Sequence, residues 1–164
     1  MGFAYIALGS NLGDRVQHLQ SARAALPVSR ASAIYETDPV DCPPDSQAFL
    51  NCILEIDWEG SAQELHVITK GIETSQGRPD QRERNAPRPI DVDLLAFGDA
   101  VIATPGLIIP HPRLHLRRFV LQPFSELSPD LILPGFDRTL ARLLAELVSS
   151  EPPLRRHPVQ WNLP

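Results

Sequence analysis

The sequence predicts an α+β domain of the ferredoxin-like, split βαβ kind, an antiparallel sheet with two helices packed on one face. Three observations carry this. The periodic segments run strand, helix, strand, strand, helix, strand, with additions after them. A length of 164 residues fits one domain, residues 1–164, whose core buries roughly 70% of the unfolded surface. The apolar share of 43% is ordinary for a globular chain, and no internal repeat or long linker divides it.

Taken in order, Phe3 to Leu8 alternates as a strand buried at least on its Ala4, Ile6 and Leu8 side. It breaks at Gly9 to Asp14, where Ser10 or Asn11 offers an N-cap for a helix with Leu12, Val16, Leu19, Ala22 and Leu26 at helical spacing until Pro27. A strand, a glycine turn and a helix start suit an anion, but this is no P-loop: the phosphate-binding lysine is missing, and a plain tight turn accounts for it equally well. Ser32 to Glu36 reads as a second strand, and Thr37 to Pro44 as a rigid loop. In the third strand, Ala48 to Trp58, Leu50, Cys52, Leu54, Ile56 and Trp58 share a face and leave Phe49 and Asn51 on the other. That pair suits a flat heterocycle or an ordinary surface, and periodicity does not choose.

Ser61 to Glu64 is a capping box opening a helix with Leu65, Ile68 and Ile72 on its stripe, ending near Gly77. Glu73 falls in its last turn, where an acid opposes the helix dipole, and this points to a partner such as Arg78. After the fourth strand come a Gly98-Asp99 turn and a returning strand, Ala100 to Ala103. Ile108 to Phe119 reads as a proline-stiffened loop in which Pro110 and Pro112 fix the backbone of His111. Asp137 is placed to cap a last helix with Leu140, Leu143, Leu144 and Leu147 on one stripe. Residues 149–164 are expected to form a Pro-rich tail, extended or partly disordered.

Charge narrows the function. The net charge of −5 argues against a general nucleic-acid binder. Basicity is local: there is one lysine against fourteen arginines, and half of the arginines lie between Arg78 and Arg118. Cys42 and Cys52 lack metal or redox spacing and are read as reduced and structural, in keeping with the cytoplasm. No apolar run reaches membrane-spanning length and no export signal is visible.

The centre of the chain is GRPDQRERNAPRPIDVDLL, residues 77–95. Arg78, Arg82, Arg84 and Arg88 crowd a proline-punctuated loop that enters a strand from Ile90 to Leu95. Alternation puts Ile90, Val92 and Leu94 on one face and Asp91 with Asp93 on the other, roughly 7 Å apart at the root. Two carboxylates projecting together suit Mg²⁺, which completes its octahedron with water and phosphate oxygens. Neighbouring guanidiniums suit polyphosphate, because each planar fork grips two oxygens and stays charged. Either feature alone is more often solvated surface. Acids are poor strand formers, so their joint presence calls for a reason.

AYIALGSNLGDR at residues 4–15, YETDPV followed by QAFLN, the central stretch, and IPHPRLHLRRFVLQPFSELSPDL at residues 109–131 together resemble the 6-hydroxymethyl-7,8-dihydropterin pyrophosphokinase family. The resemblance runs from about Ala4 to Leu131. It implies transfer of pyrophosphate from ATP to the pterin hydroxymethyl with release of AMP, in folate biosynthesis, using two Mg²⁺ per active site on a ferredoxin-like fold. It implies that Asp91 and Asp93 hold the metals and, with Arg78 and Arg88, form the catalytic set. Phe49 and Phe119 would sandwich the pterin and Asn51 would read its amide edge, with Gly9, Thr37 and Val40 adding backbone contacts. Arg78, Arg84, Arg88, His111 and Arg117 would bind ATP, Ile108 and Ile109 would line the adenine pocket, and Glu73 would lie near the nucleotide. The partners would be ATP and the pterin, with no nucleic acid, no membrane and a monomeric chain. Where family members often read Gly-Arg-x-Arg and Trp-Gly, this chain has Asp80 and Asn85-Ala86, and Leu116 replaces a common Glu. Two other classes fit the residues more loosely: a catalytically weak ATP- and Mg²⁺-binding relative, and a metal-dependent phosphodiesterase built on the two acids.

Overall fold

A computed structural model describes residues 2–39, 44–77, 88–158 and 161. Strand β1 (Gly2–Ser10) lies antiparallel between β4 (Phe49–Trp58) and β5 (Asp91–Phe97). The far side of β4 carries β2 (Val28–Ala31) and β3 (Tyr35–Thr37), and β8 (Arg155–Arg156) extends the sheet beyond β3. The path β5-β1-β4-β3-β8 contains the strand order of the expected split βαβ arrangement.

Helices α1 (Arg15–Ala24) and α2 (Ala62–Ser75) cover one face, where Leu19, Ala22, Leu65 and Ile72 pack on Ile6, Leu8, Leu54, Ile56 and Val92. Helices α3 (Arg118–Leu127) and α4 (Leu140–Glu146) cover part of the other, where Leu121, Phe124 and Leu140 meet Tyr5, Ile53 and Leu95. The expected single layer of helices is therefore doubled. β4 shows why: Leu50, Cys52, Ile53, Leu54 and Ile56 are all fully buried, so its residues of both parities need cover. Burial raises the thiol pKa of Cys52, which is free and inert, as expected of a structural cysteine. Cys42 lies outside the described residues.

Several expectations are corrected by long-range contacts. Helix α1 is capped by Asp14, whose side chain accepts from the Gln17 N–H, and not by Ser10 or Asn11. Ser10 still belongs to β1, and Asn11 is committed elsewhere. Of the strand expected at Ser32 to Glu36 only Tyr35 and Glu36 lie in one, β3; β2 ends before it at Ala31, and between the two the Ser32 hydroxyl accepts from the Ile53 N–H. The returning strand is β6 (Ile102–Thr104), which forms a separate hairpin with β7 (Leu107–Ile109) and does not join the main sheet. Pro105 and Gly106 link them, and Gly106 takes φ +86°, which a glycine adopts without a steric penalty.

Helix α3 stands where the sequence predicts the end of a loop. Pro123 inside it hides the pattern, although Val120, Leu121, Phe124 and Leu127 keep helical spacing and are buried. Thr139, not Asp137, caps α4 by accepting from the Arg142 N–H. Among its described residues the tail is extended, as expected, and tied to the body: Arg155 and Arg156 pair with β3, and the Trp161 indole donates to the Ser32 carbonyl.

A polar network ties α3 to the sheet. The Arg30 guanidinium donates to both Glu55 carboxylate oxygens and to the Leu127 carbonyl at the helix end, while Tyr5 bridges Glu55 and Ser128. Hydrogen bonds from Arg30 hold the buried Glu55 carboxyl below its ordinary pKa, and Arg15 does the same for Glu36. A depressed carboxyl contributes stability that is present above the unfolded pKa, about 4.3, and lost as pH falls through the folded value. The melting temperature should accordingly fall as pH drops below about 4.3. Glu55→Gln should melt lower at pH 7 and lose less on acidification, and parallel melting curves for both proteins across pH 3–7 would refute this.

Candidate active site

Asp91 and Asp93 do share one face of β5, and the register explains what stands opposite. Gly9 of β1 pairs with Asp91 on one side and Asn51 on the other, and Ala7 pairs with Asp93. Direct cross-strand partners project to the same face, so acids, small residues and Asn51 form one floor. Helix α3 covers the part of that face around Tyr5 and Ile53, leaving the small residues under a cavity of about 310 Å³. Gly9 fits closely there: a Cβ would lie 3.1 Å from the Asn51 side-chain oxygen, which would have to shift, and 3.7 Å from the Phe49 ring.

The cavity is lined by Gly9, Thr37, Phe49, Asn51, Arg88, Asp91, Asp93, His111, Arg117 and Phe119, so ten sequence-derived site residues converge on one space. The Asn51 amide donates to the Thr37 hydroxyl at 3.2 Å, which leaves its carbonyl oxygen beside Gly9. The Arg88 guanidinium lies 3.3 Å from the Asp91 carboxylate and 5.6 Å from the centre of the Phe49 ring. The Arg117 guanidinium stacks 4.5 Å from the centre of Phe119. His111 accepts the Arg113 N–H on Nδ1, so a neutral ring carries its proton on Nε2. Burial lowers the His111 pKa, outweighing the nearby Asp93 charge that acts in the opposite sense.

Other expected residues stand elsewhere. Glu73 is buried behind the site, where it accepts the Val92 N–H at 2.7 Å. Its partners include this edge amide and Lys70, at 3.5 Å, while the suggested partner Arg78 lies outside the described residues. Glu73 therefore fixes the strand that carries both acids and does not line the cavity. Ile108 and Ile109 do not line it either: β7 alternates, leaving Ile108 half exposed and burying Ile109 in the core. Val40 and Arg84 also lie outside the described residues.

The sequence reading missed Asn11, Lys70 and Glu151. Asn11 is fully buried and grips residue 88 twice, accepting its N–H at 2.8 Å on the side-chain oxygen and donating its own N–H to the carbonyl at 3.2 Å. Lys70 stands 3.7 Å from Asp93. Glu151 reaches Arg117 from the C-terminal tail. No spacing could have found these, since Asn11 and Arg88 are 77 positions apart.

The model of the family 7,8-dihydro-6-hydroxymethylpterin-pyrophosphokinase (HPPK) matches residues 5–129. The chain belongs to this family. It is 45% identical over 130 residues to the 2-amino-4-hydroxy-6-hydroxymethyldihydropteridine pyrophosphokinase of Bacillus subtilis, covering 76% of this chain and 77% of that one. The corresponding enzyme of Pseudomonas aeruginosa is 38% identical over 147 residues, 86% of this chain and 89% of its own. In the solved HPPK-DHPS of Plasmodium falciparum, a TM-score of 0.68 at 16% identity covers 89% of this chain and shows the shared fold. The HPPK chain spans 43% of that longer protein. Among the described residues no helix is long and apolar enough to cross a membrane.

Proposed function

We propose that this HPPK performs its family's reaction in the cavity between the acids and the aromatic pair, passing pyrophosphate from ATP to 6-hydroxymethyl-7,8-dihydropterin in folate biosynthesis. The hydroxymethyl oxygen forms a bond to the β-phosphorus, the bond from that phosphorus to the oxygen bridging the α-phosphate breaks, and AMP leaves while the hydroxyl proton passes to solvent. The observation that supports this reading best is the shared floor: two acids at one end, and Asn51 with Phe49 at the other, across side-chain-free Gly9. An aromatic wall with one amide suits a flat heterocycle that both donates and accepts.

The pterin stacks between Phe49 and Phe119, and Asn51 is held by Thr37 so that its amide meets the pterin edge. Arg88, clamped by Asn11 through its backbone, and Arg117 grip the triphosphate, with His111 donating from Nε2. These groups align the two substrates, and alignment supplies much of the catalysis in phosphoryl transfer. Asp91 and Asp93 fit Mg²⁺: both face the cavity, and each is now balanced by a cation at 3.3 Å or 3.7 Å that a metal ion can replace. With two ions bound at this pair, magnesium would neutralise charge on the phosphate oxygens.

Incubation with ATP, Mg²⁺ and hydroxymethyldihydropterin should release AMP only when the pterin is present. ATP binding without AMP release would instead indicate a non-catalytic relative. Asn51→Ala should raise the pterin Kd by about tenfold or more and leave nucleotide affinity within about twofold, since an unpaired buried edge costs on the order of 1–3 kcal/mol. Titrations showing equal losses for both ligands would contradict the role of Asn51.

A further inference from the structure

The matched family region ends at residue 129, yet the chain returns to the site at Glu151. Glu151, Pro152 and Leu154 line the same cavity as the acids and the aromatic pair. The next three residues anchor them. Arg155 and Arg156 pair with β3, the His157 N–H donates to the Ile34 carbonyl at 2.8 Å, and the Arg155 guanidinium reaches Asp38 at 3.0 Å and Glu36 at 3.4 Å. The segment is a strap tied to the sheet, not a loose end.

Within the strap, Glu151 accepts a hydrogen bond of 2.8 Å from Nε of Arg117. Its own backbone N–H is held by the Ser149 hydroxyl at 3.1 Å. Nε is one of five guanidinium donors and lies on one edge of the fork. Among the described residues no other hydrogen bond engages the Arg117 guanidinium, and its plane is stacked on Phe119. A carboxylate on one edge and a ring against one face leave both terminal nitrogens to be shared with a ligand. An arginine held in this way loses little side-chain freedom on meeting a phosphate, whereas a free one must be immobilised on binding.

We propose that residues 149–157 form a wall of the substrate site, and that Glu151 is a positioning residue which aims the unbonded donors of Arg117 at the phosphates of the nucleotide. This rests on the reading of the cavity as an ATP site. Glu151 adds a negative charge beside a polyphosphate, so a purely electrostatic role would weaken nucleotide binding and its removal would tighten it. The positioning role has the opposite sign.

The test measures KM for ATP and kcat in the full chain, together with the Kd of a non-hydrolysable ATP analogue with Mg²⁺. Glu151→Ala should raise KM and Kd about tenfold with kcat within about twofold, the scale of one charge-assisted hydrogen bond. Glu151→Gln, which still accepts from Nε, should recover to within about threefold. In an Arg117→Ala background, Glu151→Ala should add less than about twofold, because a residue acting through another has nothing left to position. Unchanged or tighter nucleotide binding in Glu151→Ala would overturn the proposal, as would a full additional loss in the Arg117→Ala background. Wild-type protein that fails to bind the analogue would overturn the ATP-site reading and this inference with it.

Discussion

Asp93→Ala lowers turnover by about three orders of magnitude or more while the melting temperature moves by less than about 2 °C. Both effects come from where the side chain sits. The Asp93 side chain is 44% exposed, and its neighbour Lys70 is 3.7 Å away, a surface pair that contributes little to stability. The fold therefore does not depend on it. Under the proposed mechanism the same carboxylate is one of two that hold magnesium against the phosphates, and losing several kcal/mol of charge stabilisation in the transition state costs about a thousandfold in rate. The comparison is kcat with saturating ATP and pterin for both proteins, alongside thermal melts. Turnover within tenfold of wild type would remove this strand from the catalytic centre. Asp91 is a less clean probe, because its side chain is 18% exposed and its removal also frees Arg88.

Phe124→Ala has the opposite profile, destabilising the protein by about 3–5 kcal/mol and lowering its melting temperature by roughly 10 °C. Phe124 is fully buried and its ring centre lies 4.7 Å from that of Tyr5, so truncation opens a cavity between α3 and the sheet. The loss reaches the site because the first turn of α3 carries Phe119, and Arg117 immediately precedes it. Looser packing there should also raise the KM for both substrates. Val148→Ala is the control: at 95% exposure it should change stability by less than about 0.5 kcal/mol. Equal melting temperatures for the two variants would mean that α3 does not hold this face of the sheet.

The outcomes at individual residues show which parts of the molecule were readable in one dimension. The alternation of β4 and of β5 separated Asn51 with Phe49, and Asp91 with Asp93, from their apolar neighbours, and both separations hold. The Ser61 cap holds, as do Leu65 and Ile72 of the α2 stripe, whereas Ile68 is exposed and Thr69 is buried instead. Helix α3 was legible in principle from Val120, Leu121, Phe124 and Leu127, but Pro123 counts against them in sequence although the folded helix accommodates it.

What the sequence determined by itself were features whose causes lie within a few residues: the strand parity of β4 and β5, the Ser61 cap with Leu65 and Ile72 of α2, and the placement of arginines and acids at the centre of the chain. Tertiary structure alone decided which part of the sheet stays open, that Glu73 holds the edge amide of Val92, that Asn11 clamps Arg88, and that the tail returns as β8 to bring Glu151 to Arg117. The physical reason is range. Periodicity reports which neighbours share a face, whereas a hydrogen bond between residues 34 or 77 positions apart depends on sheet register and helix packing, which no local spacing encodes.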